Sequence, residues 1–299
     1  MALDFPSSPT TGQAFNSYVF DGEKWTLPTN SSQDFVRYGV QTLSAGQKTQ
    51  AITNLGLDVP VFYGYIGGLS LSTAGGSAIF GVSIGACTDS TAVDFMKLTS
   101  AYTKTTGSWA VGTSNGALDT GTIAASTWYH VFVIKRLDTG VVDILVSLSP
   151  TSPTMPTNYT LKRRIGSMYT VAGPVWKKFL QTSDQFMWDV PSPDVNNVAN
   201  TTTGTLRSLL VPTGIQVLAF GSAAVSTADN NMIITSPNQT DTAAANTAGQ
   251  FRNGGTNAVQ SPMWAIQTNT SGQLRFRQDS SSGVHFFNTW GWYDDRGTI

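Results

Sequence analysis

The stretch "TWYHVFVIKRLDTGVVDILVSLS", residues 127–149, decides the fold class. Two apolar runs, 127–136 and 141–149, flank Asp138-Thr139-Gly140. That short loop ends on a glycine able to take the positive φ a tight reversal needs. The spacing predicts a β-hairpin. Its first run is apolar on both faces: Trp128, His130, Phe132 and Ile134 alternate with Tyr129, Val131 and Val133. A strand of that kind is covered on both sides, so a sandwich is expected whose hairpin also meets a sister subunit.

Working outward from the hairpin, further strands are expected at 62–70, 77–84, 95–98, 163–169 and 178–180. Others follow at 205–211, 215–220, 232–235, 263–267, 273–278 and 284–292. Many short strands with turn signals about 8–12 residues apart argue for a sandwich or jelly roll. The expected fold is therefore mainly β, an antiparallel sandwich or jelly-roll-like body. "SPDVNNVANTTTG" (192–204) reads as a linker between a first lobe, 58–191, and a second, 205–299, with one continuous β body as the alternative.

Composition agrees. Charged residues make up 12% of the 299, about half the usual share. Thr, Ser, Asn and Gly carry the polarity instead, and they favour strands and turns over helix interiors. The formal net charge of −1 gives no footprint for nucleic acid or an anionic membrane. No run approaches the roughly 20 apolar residues of a membrane span. The single cysteine, Cys87, excludes an internal disulfide and speaks against a zinc cluster.

The opening, "MALDFPSSPTTGQAFNSYVFDGEKWTL", holds two short apolar tags around a Pro/Ser/Thr spacer. Asp4 interrupts the first tag, so no secretory signal is expected. Asp21-Gly22 predicts a hairpin turn. A lone two-stranded hairpin is marginal in water, so residues 1–29 are expected to dock on a larger surface through Leu3, Phe5, Pro6, Pro9, Phe20 and Trp25. Residues 30–57 are expected to form a linker and one short helix. Ser44 and Gln47 make a capping-box pattern, Gly56 supplies the stop, and Leu43, Ala51 and Leu55 offer apolar contacts. At about 11 residues such a helix is too short to stand alone, which points to oligomerisation.

Three segments carry a resemblance. "VQTLSAGQKTQAITNLGL" (40–57) resembles a helical motif of phage tail fibres, Q-x-L-[ST]-x-x-Q-x-x-Q-A-x-x-N-[IL]-G. The opening "LDFPSSPTTGQ…FDGEKW" is similar to leaders of tailed-bacteriophage virion proteins. Residues 127–167, with the closing "NTWGWYDDRG", are similar to phage structural proteins ending in Gly-Trp-x-Asp-x-Arg-Gly. The resemblance implies a virion appendage of a tailed bacteriophage: a short tail, neck or head fibre, usually a homotrimer. Its N-terminus would be held by portal, adaptor, tail or capsid proteins. Its distal β-rich part would meet host surface polysaccharide. Long β-helical repeats are missing, which implies a short appendage.

The alternative is a glycan-degrading receptor-binding enzyme, a depolymerase. Such an enzyme uses paired carboxylates. The pairs available are Asp89/Asp94, Asp138/Asp143, Asp184/Asp189 and Asp294/Asp295, and none forms a recognisable catalytic pattern. His130 and His285 lie inside β segments and are expected to be core or interface residues, and Cys87 an inert thiol. No cofactor and no metal are expected. There is no P-loop, dinucleotide fingerprint or EF-hand loop, although Asp229–Asn231 or Asp241 offers calcium-type ligands. Trp25, Trp128 and Trp188 read as core. Trp290, Trp292, Tyr293, Asp294, Asp295 and Arg296 are the candidate glycan contact. The preferred reading of that stretch is a last strand closing the sandwich, tied down by an Arg–Asp pair. The chain is read as non-enzymatic.

Overall fold

A computed structural model describes residues 5–26, 44–55, 63–226, 231–245, 247, 251–252 and 263–297. Leu3, Leu43, Gly56 and Asp229 lie outside these residues. The chain divides into two compact units, Met1–Asp58 and Val59–Ile299.

In the first unit the expected hairpin is present and gains a third strand. Ala14–Phe15, Tyr18–Phe20 and Trp25–Thr26 pair antiparallel in that order. The carboxylate of Asp21 accepts the N–H groups of Glu23 and Lys24, both at 2.9 Å. Those two bonds hold its pKa below the ordinary value. Phe5 reaches back to stack on Trp25 at 5.2 Å and to meet Phe15 and Tyr18 edge-on or tilted. The segment thus has a small aromatic core of its own, which the sequence did not reveal. Every member of that core stays half-exposed. A helix, Ala45–Asn54, follows with the expected capping box: Ser44 N–H donates to Gln47 Oε1 at 2.9 Å, and Gln47 N–H donates to Ser44 Oγ at 3.3 Å. Ala51 is half-buried, while Ile52 and Leu55 face solvent.

The second unit is the β body. Its largest sheet has eight strands, in the order Val175–Trp176, Tyr159–Val171, Trp128–Arg136, Val142–Ser147, Gly116–Leu118, Tyr102–Ser108, Ile79–Val82 and Leu71–Ser72. The pairing is antiparallel except at Gly116–Leu118, which runs parallel to both neighbours. A five-stranded sheet orders Phe179–Thr182, Gln185–Ala199, Val284–Tyr293, Leu218–Val225 and Met263–Gln267. A four-stranded sheet (Thr205–Ser208, Gln273–Gln278, Asn231–Thr235, Phe251–Arg252) and a three-stranded one (Ile66–Gly68, Gly85–Thr88, Phe95–Leu98) complete it. One core runs through these sheets and includes Phe80, Tyr129, Val131, Val133, Trp176, Phe186, Phe276, Phe287 and Trp292.

Two expectations change. Residues 192–199, expected as linker, are the second half of the strand Gln185–Ala199. Its partner is the closing strand, so segments from both expected lobes share one sheet. Pro191 and Pro193 disguise the strand. The ladder around them is bulged, with Met187 opposite Gly291 but Ser192 opposite Thr289, and bulges are where a sheet tolerates proline. The hairpin's second face is the other change. Phe132, Ile134 and Leu145 are covered by Tyr159, Trp109 and Met155 of the same chain. Two apolar faces here do not require a sister subunit.

Candidate functional site

The candidate glycan residues sit at the end of Val284–Tyr293, and a bulge sorts them. Gly291 pairs with Phe220 while Thr289 pairs with Gly221, which leaves Trp290 as the extra residue. One extra residue reverses which side chains point inward. Upstream, His285, Phe287 and Thr289 are inside; downstream, Trp292, Asp294 and Arg296 are. Trp290, Tyr293 and Asp295 face out. The six residues therefore do not form one surface platform.

The inward three anchor the body. Trp292 stacks on Phe186 at 5.2 Å and 5°, and Trp128 meets it edge-on at 5.3 Å. Asp294 is held by Arg164 in a two-pronged pair with both contacts at 2.6 Å. The Arg–Asp tie exists, but the arginine comes from strand Tyr159–Val171, not from Arg296. Burial alone would raise the Asp294 pKa; the charge and hydrogen bonds of Arg164 outweigh it, and the net shift is downward. Arg296 donates instead to the carbonyls of Ile165, Gly68 and Leu69 at 2.8–3.0 Å. Arg163 adds bonds to the carbonyls of Arg296 and Gly64. The closing loop is thereby stitched to the first strand region of the body.

Beside this stitching lies a cleft of about 450 Å³. Its position follows from the hairpin: Lys162 and Arg164 pair with Ile134 and Phe132 and so share their face. Phe132, Pro150 and Ile215 give apolar wall, and Lys162, Arg163, Arg164 and Asp295 give charge. Gln216 and Gln267 supply exposed carboxamides, Ser90 and Thr151 exposed hydroxyls. Lys162 is a half-buried residue whose ammonium donates to the Thr151 carbonyl at 2.6 Å, which leaves two N–H donors. Asp295 uses one oxygen on Gly297 N–H and Arg164, and its other oxygen is open.

No protein-family model, curated protein or solved structure matches the chain. The chemistry is read from the residues alone.

The other candidates are satisfied inside the fold. His130 is buried, with Nδ1 2.9 Å from Ser167 Oγ, and burial followed by the Arg164 charge lowers its pKa to about 4. His285 stacks on Phe276 at 4.0 Å and accepts from Arg207 Nε at Nε2. Its pKa is also lowered to about 4, chiefly by burial. Cys87 is buried, and that burial raises its thiol to about 12. Asp89 closes its own turn through the N–H groups of Thr91, Val93 and Asp94. Asp94 pairs with Lys135, Asp138 with Arg136, Asp143 with Lys104, Asp189 with Lys178 and Asp241 with Arg277. Asp184 lies 3.8 Å from Arg296. Among the described residues, no group of three or more His, Cys, Asp or Glu is placed to hold a metal.

Sequence reasoning missed Lys162, Gln216 and Gln267 as a set. The available signal was "KRR" at 162–164, at the start of the strand expected over 163–169. Strict alternation cannot present three consecutive cations to one side.

Proposed function

We propose that the chain is a structural appendage of a tailed-bacteriophage virion. Its N-terminal unit fastens to the particle, its helix gathers sister copies into a homotrimer, and its β body projects to touch host surface glycan. The observation that supports this reading most is the fibre-type helix. The segment that carries the motif folds as a capped helix of 10 residues with Ile52 and Leu55 turned to solvent. A helix that short draws its stability from neighbours, and three copies around one axis would provide them. The half-exposed cluster of Phe5, Phe15, Tyr18, Phe20 and Trp25 fits a plug that finishes its core on another protein.

The test has two readouts. Light scattering of the full chain is expected to return about three times 31.9 kDa, and antibodies to the body are expected to decorate purified virions at one fixed position. A monomer at micromolar concentration together with unlabelled particles would overturn the proposal. Release of reducing ends from host capsule by the purified chain would move it to the depolymerase class instead. Against that class, Asp294 is held ionised by Arg164, so it is unsuited to donate a proton, and Asp295 is the one carboxylate lining the cleft. Glycoside cleavage needs two.

A further inference from the structure

We infer that the cleft beside the closing loop is a binding site for an acidic saccharide, a sugar bearing a carboxylate. The inference rests on the reading of the body as a glycan-contacting one and names the ligand class and the place. A 450 Å³ cleft is within the range of small-ligand sites, and its open groups are specific in kind.

Lys162 is the anionic subsite. The residue is half-buried, and its ammonium is bonded to one carbonyl and, among the described residues, paired with no carboxylate. A sugar carboxylate would take the two remaining N–H donors as charge-assisted bonds. Arg163 adds a positive charge while bonded to the carbonyls of Arg296 and Gly64, whereas the Arg164 charge is met by Asp294.

The remaining open groups suit sugar hydroxyls, each of which both donates and accepts. Among the described residues the carboxamides of Gln216 and Gln267 make no side-chain hydrogen bond, and they offer both functions. The open oxygen of Asp295 accepts. Ile215 gives an apolar surface for a ring face. A simple phosphate or sulfate could use Lys162 and the carboxamide N–H groups but offers few or no donors to the carboxamide carbonyls and the Asp295 oxygen. A neutral sugar would use the carboxamides but leave the Lys162 charge without a counter-charge. An acidic sugar uses both.

Titration calorimetry of the full chain with trigalacturonate, maltotriose and inorganic phosphate, at low and high salt, tests this. Trigalacturonate is expected to bind at least about tenfold tighter than either other probe, and to weaken as salt rises. Lys162→Gln is expected to lose about tenfold or more, the worth of a charge-assisted bond. Gln216→Ala with Gln267→Ala is expected to lose several-fold, with thermal melts of all variants unchanged. Equal binding of maltotriose, equal binding of phosphate, no binding of any probe, or full affinity in Lys162→Gln would each overturn the assignment. These outcomes are independent of virion labelling, so the site and the appendage reading fail separately.

Discussion

The two units treat aromatic side chains in opposite ways. In the body, Trp176, Phe186 and Trp292 are each 0% exposed, and Trp128 and Trp188 are nearly so. In the N-terminal unit five aromatic rings touch one another, yet none of its described residues is fully buried. Size explains the difference, because a few dozen residues cannot enclose a core whereas a large domain can. The body therefore buries its main aromatic core within one chain while leaving Tyr63, Tyr65, Phe95, Trp290 and Tyr293 exposed, and the N-terminal unit leaves every ring of its cluster partly open. Exposed aromatic clusters of that kind mark contact surfaces.

The largest effect expected from breaking this contrast lies at Arg164 and Asp294. Both are nearly fully buried and joined by two short bonds. Removing one partner leaves an uncompensated buried charge, which costs roughly 3–5 kcal/mol. Asp294→Ala should lower the unfolding free energy of the body, read from denaturant titration, by that amount. Arg164→Met combined with Asp294→Leu should recover most of it, because a well-packed apolar pair avoids the stranded charge. By comparison Asp189→Asn, which opens an exposed pair with Lys178, should cost less than about 1 kcal/mol.

The bulge at Trp290 gives a sharper version of the same test. Trp292→Ala removes a ring wedged among Phe186, Trp188 and Trp128 and should cost about 3–5 kcal/mol. Trp290→Ala, two positions away with its side chain partly in solvent, should cost about 1 kcal/mol or less. Equal costs would mean that the phase does not reverse there.

Much of this fold was legible in local pattern. The 127–149 hairpin, the strands Phe95–Leu98, Met263–Gln267 and Gln273–Gln278, and the Ser44/Gln47 cap all follow from a few adjacent residues. What was not legible depends on distant partners. "YTKTTGS" (Tyr102–Ser108) looks too polar for a central strand, but Lys104 is fully buried against Asp143 at 2.8 Å, 39 positions along the chain. The partner of Asp294 is Arg164, 130 positions away, so the nearby Arg296 was the natural but mistaken choice. The cleft was hidden for the same reason: Lys162, Gln216 and Gln267 share no local motif.

Acidity separates the units next. Both histidines of the chain belong to the body, and both are held neutral with pKa values lowered from 6.5 to about 4. Between those values the unfolded chain binds protons that the native body refuses, so stability rises with pH. It is full above about pH 6.5 and falls as pH drops toward 4, by on the order of 1.4 kcal/mol per pH unit for each histidine. The environments are cationic on one side, with Arg164 near His130 and Arg207 bonded to His285, while Asp294 partly offsets the first. His130→Gln and His285→Gln should each flatten the slope of melting temperature against pH over that window. Asp294, with its pKa below the ordinary carboxylate value, acts only at lower pH, whereas Asp194, its pKa raised chiefly by burial, works against the histidine slope at the acid end of the window.

The smallest effect expected on the body comes from removing the N-terminal segment altogether. Deleting residues 1–29 takes away the whole three-stranded sheet and its aromatic cluster, all within the first compact unit. Among the described residues, none of that segment is a member of the core clusters of Val59–Ile299. The unfolding free energy of the body should shift by less than about 0.5 kcal/mol, the size of a change that disturbs no packed group. The same deletion should abolish incorporation of the chain into virions, measured by labelling purified particles. Phe5→Ala with Trp25→Ala should do likewise, because Phe5 and Trp25 form the stacked centre of the cluster. A large loss of body stability on deletion would make the segment part of the main core. Full incorporation without it would mean that the exposed aromatics serve some contact other than the particle.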